Sequence, residues 1–319
     1  MKLPISPPLQ PQLAKTAREL PAGDDWCFEP KWDGFRTIVF RDGDEVYLQS
    51  RNGKPMNRYF PDIVEQALRM KADRWVIDGE MVVTVDDVQE FDLLSQRIHP
   101  AASRVERLAG ETPATLVAFD LLAEGDETLL EFPYSERRDR LAALVTDPVE
   151  LTPSTDDPDA AGQWLAGTGE GVIAKQASAA YKPGERVGMV KIKRVRTADA
   201  VVAAFRFGKE PDTVGSLILG LYGDDGKLHI VGHTSSFRAK QKRELLDLLE
   251  PYRTGERGSG GPSRWKSDEE LQWEGLRPEL VCEVSFDHIT GGRIRHGSKF
   301  LRWRTDKEPR ECVLAQLRD

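Results

Sequence analysis

The chain of 319 residues is long enough for two ordinary domains, each burying its own core, and its 39% hydrophobic and 31% charged composition is that of a soluble globular protein. No apolar run approaches the ~20 residues that cross a bilayer, and the N-terminus MKLPISPPLQPQLAK has no apolar signal core, so a cytoplasmic protein without membrane attachment is expected. A net charge of −8 argues against a uniformly basic nucleic-acid binder, while three scattered cysteines and five histidines without ligand spacing argue against a disulfide framework or a bound transition metal.

In chain order, the first two thirds offers short β-branched or alternating runs bounded by Gly, Asp and Pro: WCFEPKW, EVYLQS, WVIDGEMVV, TLVAFDLL, GVIAK and MVKIK. Helical stretches lie between them. In FPDIVEQALRM, Phe60, Ile63, Val64, Ala67 and Leu68 form an amphipathic stripe; SERRDRLAALV opens on Ser135 as a candidate N-cap; DPDAAGQWLAG reads as a third helix. A second cluster of strands begins near Asp199 with AVVAAFRFG, SLILGLYG, KLHIVGHTS, LVCEVSF and a basic tail. Asp224-Asp225-Gly226 is a hairpin turn, and RAKQKRELLDLLEPYR supplies one helix. Five or so strands with an inserted helix fit a small barrel of the OB kind, with residues 254–264 read as a flexible loop inside it. The expected domains are 1–196 and 197–319.

Charge is unevenly spread. From Thr197 onward 20 basic residues balance 20 acidic ones, so the whole deficit, 25 against 33, lies upstream. Between Arg293 and Arg310 seven basic residues stand against two acidic ones. Screening limits distant charge to ~8–10 Å, so this strip can grip phosphates on an acidic protein; by itself a solvated basic face is an equal reading.

The chemistry begins at Glu29-Pro30-Lys31-Trp32-Asp33-Gly34-Phe35-Arg36. A lysine at the end of an apolar strand, followed by a tight Asp-Gly turn, is an odd place for a solvated side chain. Its amine attacks only when neutral, which asks neighbouring cations or a metal to lower a pKa of ~10.4. Alone, KxDG arises often by chance. Ser50-Arg51-Asn52-Gly53 follows; Ile77-Asp78-Gly79-Glu80 places a carboxylate just after an apolar strand; Phe119 closes another, where it can stack on a base. Glu170 stands at the mouth of the GVIAK strand. In MVKIK the period of two turns Lys191 and Lys193 to one face, where like charges repel unless an anion such as a triphosphate lies between them.

In this order and spacing the set resembles the covalent nucleotidyltransferase superfamily, and within it the ATP-dependent DNA ligases of the small bacterial LigC type, from Glu29 to Lys307. KWDGFR, SRNG, IDGE, FDLL, EGVIAK, KIK and the RTDK of Arg304–Lys307 each match a motif of that family. The resemblance implies an α+β fold: an ATP-grasp-like adenylation domain with antiparallel sheets and helices, then an OB-fold β-barrel. It implies that Lys31 forms a phosphoramide with AMP from ATP, that Glu29 and Phe119 hold adenine, and that Arg36, Arg51 and Glu80 surround ribose and phosphates. Glu170, with Glu80, would bind Mg²⁺ or Mn²⁺; Lys191 and Lys193 would bind phosphates. Arg304, Asp306 and Lys307 would swing in with the OB domain to orient pyrophosphate. The implied substrate is nicked double-stranded DNA, sealed by a monomer beside a primase-polymerase repair partner.

Other readings are an mRNA guanylyltransferase using GTP, an RNA ligase, or a non-catalytic OB-fold nucleic-acid binder; the RTDK, FDLL and EPKWDG segments favour the DNA ligase. His99, Trp32, Trp265, Trp273 and Trp303 carry no assigned role.

Overall fold

Alternating side chains build the first of the two units into which the computed structural model divides, Met1–Arg194 and Val195–Asp319. The structure describes residues 1–317 apart from 87, 168, 260–271, 288, 296 and 297. Trp265 and the second half of the 254–264 segment therefore lie outside the described residues.

The larger sheet of the first unit runs in the order Glu150–Leu151, Thr115–Glu124, Arg74–Val82, Phe35–Asp42, Glu45–Ser50, with Glu127–Thr128 paired to the end of Thr115–Glu124. Its central strands are buried on both faces, and the period of two separates them into two cores. Val39, Ile77 and Leu121 face one way, onto Ile63, Ala67, Leu94 and Leu141 of the covering helices. Ile38, Val76 and Leu122 face the other way, onto Ile5 and Tyr181.

A smaller sheet is ordered Lys15–Ala17, Met189–Lys193, Gly171–Gln176, Trp26–Pro30. Pairing is antiparallel except at Lys15–Ala17 and Glu150–Leu151, which add parallel edges. On one face Phe28, Val172, Ala174 and Ile192 pack against Ala161, Trp164 and Leu165 of the Pro158–Ala166 helix, whose N-cap Asp157 accepts from the Asp159 N–H.

Local details differ from the sequence reading. Leu68 is 37% exposed, because the Pro61–Arg69 helix turns only Ile63 and Ala67 fully inward. The helix expected to be capped by Ser135 starts two residues earlier, at Tyr134, after Pro133 and without a side-chain cap. Glu80 lies within the Arg74–Val82 strand and Phe119 within Thr115–Glu124, not at their ends, since both strands continue across the sheet.

The second unit is a seven-stranded antiparallel sheet wound around the long Arg196–Phe207 strand, which pairs with Val214–Tyr222, Trp273–Leu276 and Val281–Phe286. Leu228–Thr234 and Lys299–Trp303 end one hydrogen-bonded path, and an isolated bridge, Thr234 to Ser298, joins those ends. The Ala239–Leu249 helix sets Leu245 and Leu249 onto the core. Residues 254–258, expected in a flexible loop, belong to the Arg253–Gly258 strand, because Glu274 of the facing strand binds Arg253 and Arg257.

Candidate active site

The face of the smaller sheet opposite its core lines a cavity of about 200 Å³. Glu29 stands directly across from Ile173, and Ile173 from Lys191, so one row of the sheet carries an acid at one end and a base at the other. Lys175 lies two residues beyond Ile173 on the same face. The larger sheet supplies Arg36 and Glu80, opposite each other in register, and Phe119. The register shifts there: Asp78 pairs with Asp120 but Gly79 pairs with Ala118, leaving Phe119 as the extra residue of a bulge that aims its ring into the cavity.

Lys31 follows immediately on the Trp26–Pro30 strand. Its N–H donates to Gly171 O at 2.9 Å, the Trp32 indole donates to Thr152 Oγ1 at 2.9 Å, and the Asp33 N–H donates to Gln89 Oε1 at 2.6 Å, so three successive residues are pinned. Two glycines permit the approach. A Cβ on Gly34 would stand 2.1 Å from Met81 O, and one on Gly171, where φ is +137°, 2.1 Å from Ile192 O. The Lys31 side chain is 20% exposed and its ammonium forms an ion pair with Glu170, whose side chain is 17% exposed. The amine therefore does not stand free in bulk solvent.

Charge of both signs is concentrated around that amine. Burial pushes the Glu80 carboxyl up to about 8; Asp78 and Asp33 push the same way, against Lys31 and Arg36. Lys191 is held below the usual lysine range by burial, then by Lys193, Lys31, Arg51 and Arg186. Cations gathered in this way favour an anion among them. Arg36 is fixed by Asp78 at 2.6 and 3.0 Å, with Tyr181 donating to the same carboxylate at 2.7 Å, and its guanidinium lies 5.4 Å from the centre of the Phe119 ring.

The far end of the cavity is arranged around Glu29. The Tyr134 hydroxyl donates to one carboxylate oxygen and Lys175 Nζ lies 2.9 Å from the other. Lys175 also donates to Phe119 O at 2.9 Å and sits over the Phe119 and Tyr134 rings.

Seven residues singled out from the sequence, Glu29, Lys31, Arg36, Arg51, Glu80, Phe119 and Lys191, line this one cavity. Glu170 reaches it through Lys31, and Lys193 stands opposite Gly171 on the same strand as Lys191 without lining it. Arg304 and Lys307 lie in the second unit, where both bind Asp199, Arg304 at 2.8 and 3.0 Å and Lys307 at 3.0 Å; Arg304 also binds Asp306. Sequence reasoning missed Lys175, Arg186, Asp78 and Tyr134 as parts of the site. Lys175 carried a usable signal, its period-two relation to Ile173; Tyr134 carried none.

Among the described residues no three His, Cys, Asp or Glu side chains form a metal cage. The donors near Lys31 are the carboxylates of Glu80, Asp33 and Glu170, an all-oxygen set that fits a hard divalent cation completing its shell with phosphate oxygens and water.

Comparison with known proteins gives a consistent picture. The family described as ATP dependent DNA ligase domain matches residues 11–193, and the ATP dependent DNA ligase C terminal region matches residues 210–307. The chain is 47% identical to DNA ligase C1 of Mycolicibacterium smegmatis, over 99% of this chain and 96% of that protein. It is 45% identical to DNA ligase C of Mycobacterium tuberculosis, with the same coverage. Among solved structures, mycobacterial DNA ligase D complexed with ATP and MES is similar at a TM-score of 0.52 and 29% identity, covering 96% of this chain and 98% of that one.

Proposed function

The chain belongs to the ATP-dependent DNA ligases and is an ATP-dependent enzyme of that family acting on nicked DNA, and from that premise we propose that Lys31 is the residue that carries AMP. The observation that carries this reading is the gathering in one cavity of Lys31, the cations Lys191, Arg51 and Arg36, and the Glu29 carboxylate with the Phe119 ring. Phosphoryl transfer depends mainly on alignment and on neutralising the non-bridging oxygens, and a site of cations around a fixed amine is built for both.

In the first step the neutral Lys31 amine attacks the α-phosphorus of ATP; an N–P bond forms and pyrophosphate leaves. Glu170, already bound to the amine, is the acceptor within reach of its proton. An oxygen of the 5′-phosphate at the nick then attacks the same phosphorus and the N–P bond breaks. Finally the 3′-hydroxyl attacks the 5′-phosphorus, joins the strands and releases AMP. Glu29 and Phe119 hold adenine, Arg36, Arg51 and Glu80 surround ribose and phosphates, and Lys191 with Lys193 neutralises phosphate charge. Glu80 and Glu170 would hold Mg²⁺ or Mn²⁺, which when bound supplies further neutralisation of the phosphates. Arg304, Asp306 and Lys307 orient pyrophosphate, the role implied by their RTDK motif.

We extend the proposal to a monomer acting in cytoplasmic repair beside a primase-polymerase partner. The three cysteines are free thiols, as suits a reducing compartment, and no helix among the described residues is long and apolar enough to cross a membrane.

Incubation with α-labelled ATP tests the assignment. A labelled band on a denaturing gel is expected from ATP and not from GTP, and it disappears in Lys31→Ala. Undiminished label in that variant would place the nucleophile elsewhere.

A further inference from the structure

We propose that Tyr134 determines base specificity by fixing the Glu29 carboxylate as the acceptor for the exocyclic amine of adenine. The inference rests on the reading that adenine occupies the Glu29 end of the cavity.

Glu29 is buried, its side chain only 3% exposed, and both of its oxygens are already engaged by protein donors. Tyr134 Oη donates to Oε1 and Lys175 Nζ binds Oε2 at 2.9 Å. The two oxygens of a carboxylate offer about four acceptor sites. Two are used by these donors, and those remaining serve a ligand in the cavity that Glu29 lines. The 6-amino group of adenine is such a donor. Guanine carries a carbonyl oxygen at that position, so two acceptors would face each other. A site built around a buried acceptor discriminates strongly against a ligand that leaves it unpaired.

What fixes the direction of those free sites is the pair of donors, and Tyr134 is held through its own backbone and its helix. Its N–H donates to Ala179 O at 2.9 Å, and one turn on, Arg137 ties the same helix to Asp120 at 2.7 and 3.0 Å. Burial, and then the Glu29 charge, raise the pKa of the phenol well above its ordinary value, which keeps it a donor across the neutral range. Tyr134 does not itself line the cavity, so it acts through Glu29 as a positioning residue. With the hydroxyl gone, the carboxylate retains only Lys175, is free to turn about its terminal bond, and loses its aim.

The test compares wild type with Tyr134→Phe, using α-labelled ATP and the labelled triphosphate of purine riboside, which lacks the 6-amino group. Wild type is expected to prefer ATP, and in the variant that preference shrinks about tenfold, the worth of one hydrogen bond to a charged group. The change falls on KM for ATP, while the labelling rate at saturation stays within about threefold. Because the preference is a ratio taken on one preparation, a loss of folded protein cancels. If label is too weak to measure, equilibrium binding of the two triphosphates supplies the same ratio. An unchanged preference in Tyr134→Phe overturns the inference. Absence of any ATP preference in the wild type would instead overturn the reading, on which the inference rests, that adenine occupies the Glu29 end of the cavity.

Discussion

Lys31 and Glu170 meet at the junction of two neighbouring antiparallel strands, the lysine one residue after Trp26–Pro30 and the glutamate one residue before Gly171–Gln176. The Lys31 N–H donates to Gly171 O, so the backbones that carry the pair are themselves bonded. The Lys31 amine, the proposed nucleophile, is thereby held by its partner.

Glu170→Gln keeps the shape of that partner and removes its charge. Adenylylation with saturating ATP is expected to slow by about 100-fold, the ordinary scale of a lost proton acceptor. Stability should hardly change, since a partly exposed ion pair contributes about 1 kcal/mol or less. Single-turnover labelling and thermal melting separate the two effects, and a large drop in Tm would assign Glu170 a structural role instead.

Glu80 makes stability depend on pH. Its carboxyl titrates at about 8 in the fold against an ordinary value of 4.5, because burial disfavours the charged form. Between those values the native state keeps a proton that the unfolded chain has lost, so stability falls as pH rises through this range. The loss is on the order of a few kcal/mol. Melting curves across this window should slope downward with pH in the nucleotide-free wild type and be flatter in Glu80→Gln; parallel curves would contradict the assignment.

Phe119→Ala removes the platform that the bulge aims into the cavity. Stacking of a base on an aromatic ring contributes about 1–3 kcal/mol, so KM for ATP should rise by about tenfold or more. The ring also faces Lys175 and Arg36, and a modest fall in Tm is expected from losing those contacts. Steady-state labelling as a function of ATP concentration reads the effect; an unchanged KM would remove Phe119 from the base site.

Arg304→Ala and Lys307→Ala should slow adenylylation about 100-fold, the scale of removing a charge-stabilising donor, while sparing the sealing of pre-adenylated nicks. Both side chains share Asp199, so the double variant should cost less than the sum of the two. Loss of sealing with undiminished adenylylation would show that these residues serve DNA joining and not the first step.

The strands and most helices were readable because their signal is local. Alternation in MVKIK placed Lys191 on the face opposite Val190 and Ile192, and in the structure those two do pack on the Pro158–Ala166 side. The stripe in the Pro61–Arg69 helix was legible for the same reason, though Leu68 was assigned inward when it lies at the edge of the buried face. The strand at Arg253–Gly258 was missed because its sequence, RTGERG, has the composition of a turn; pairing with Trp273–Leu276 and the buried Glu274 overrides that preference.

By itself the amino-acid order determined which residue types recur at which spacing, and so the family and the motifs from which Lys31 is proposed, since those depend only on neighbours along the chain. Tertiary structure alone decided that Phe119 is the extra residue of a bulge, that Lys31 is met by Glu170, and that Tyr134 and Lys175 share the Glu29 carboxylate. These pairs are far apart in sequence, and a hydrogen bond or ion pair between them depends on strand register and burial, which arise only once the sheets have closed on one another.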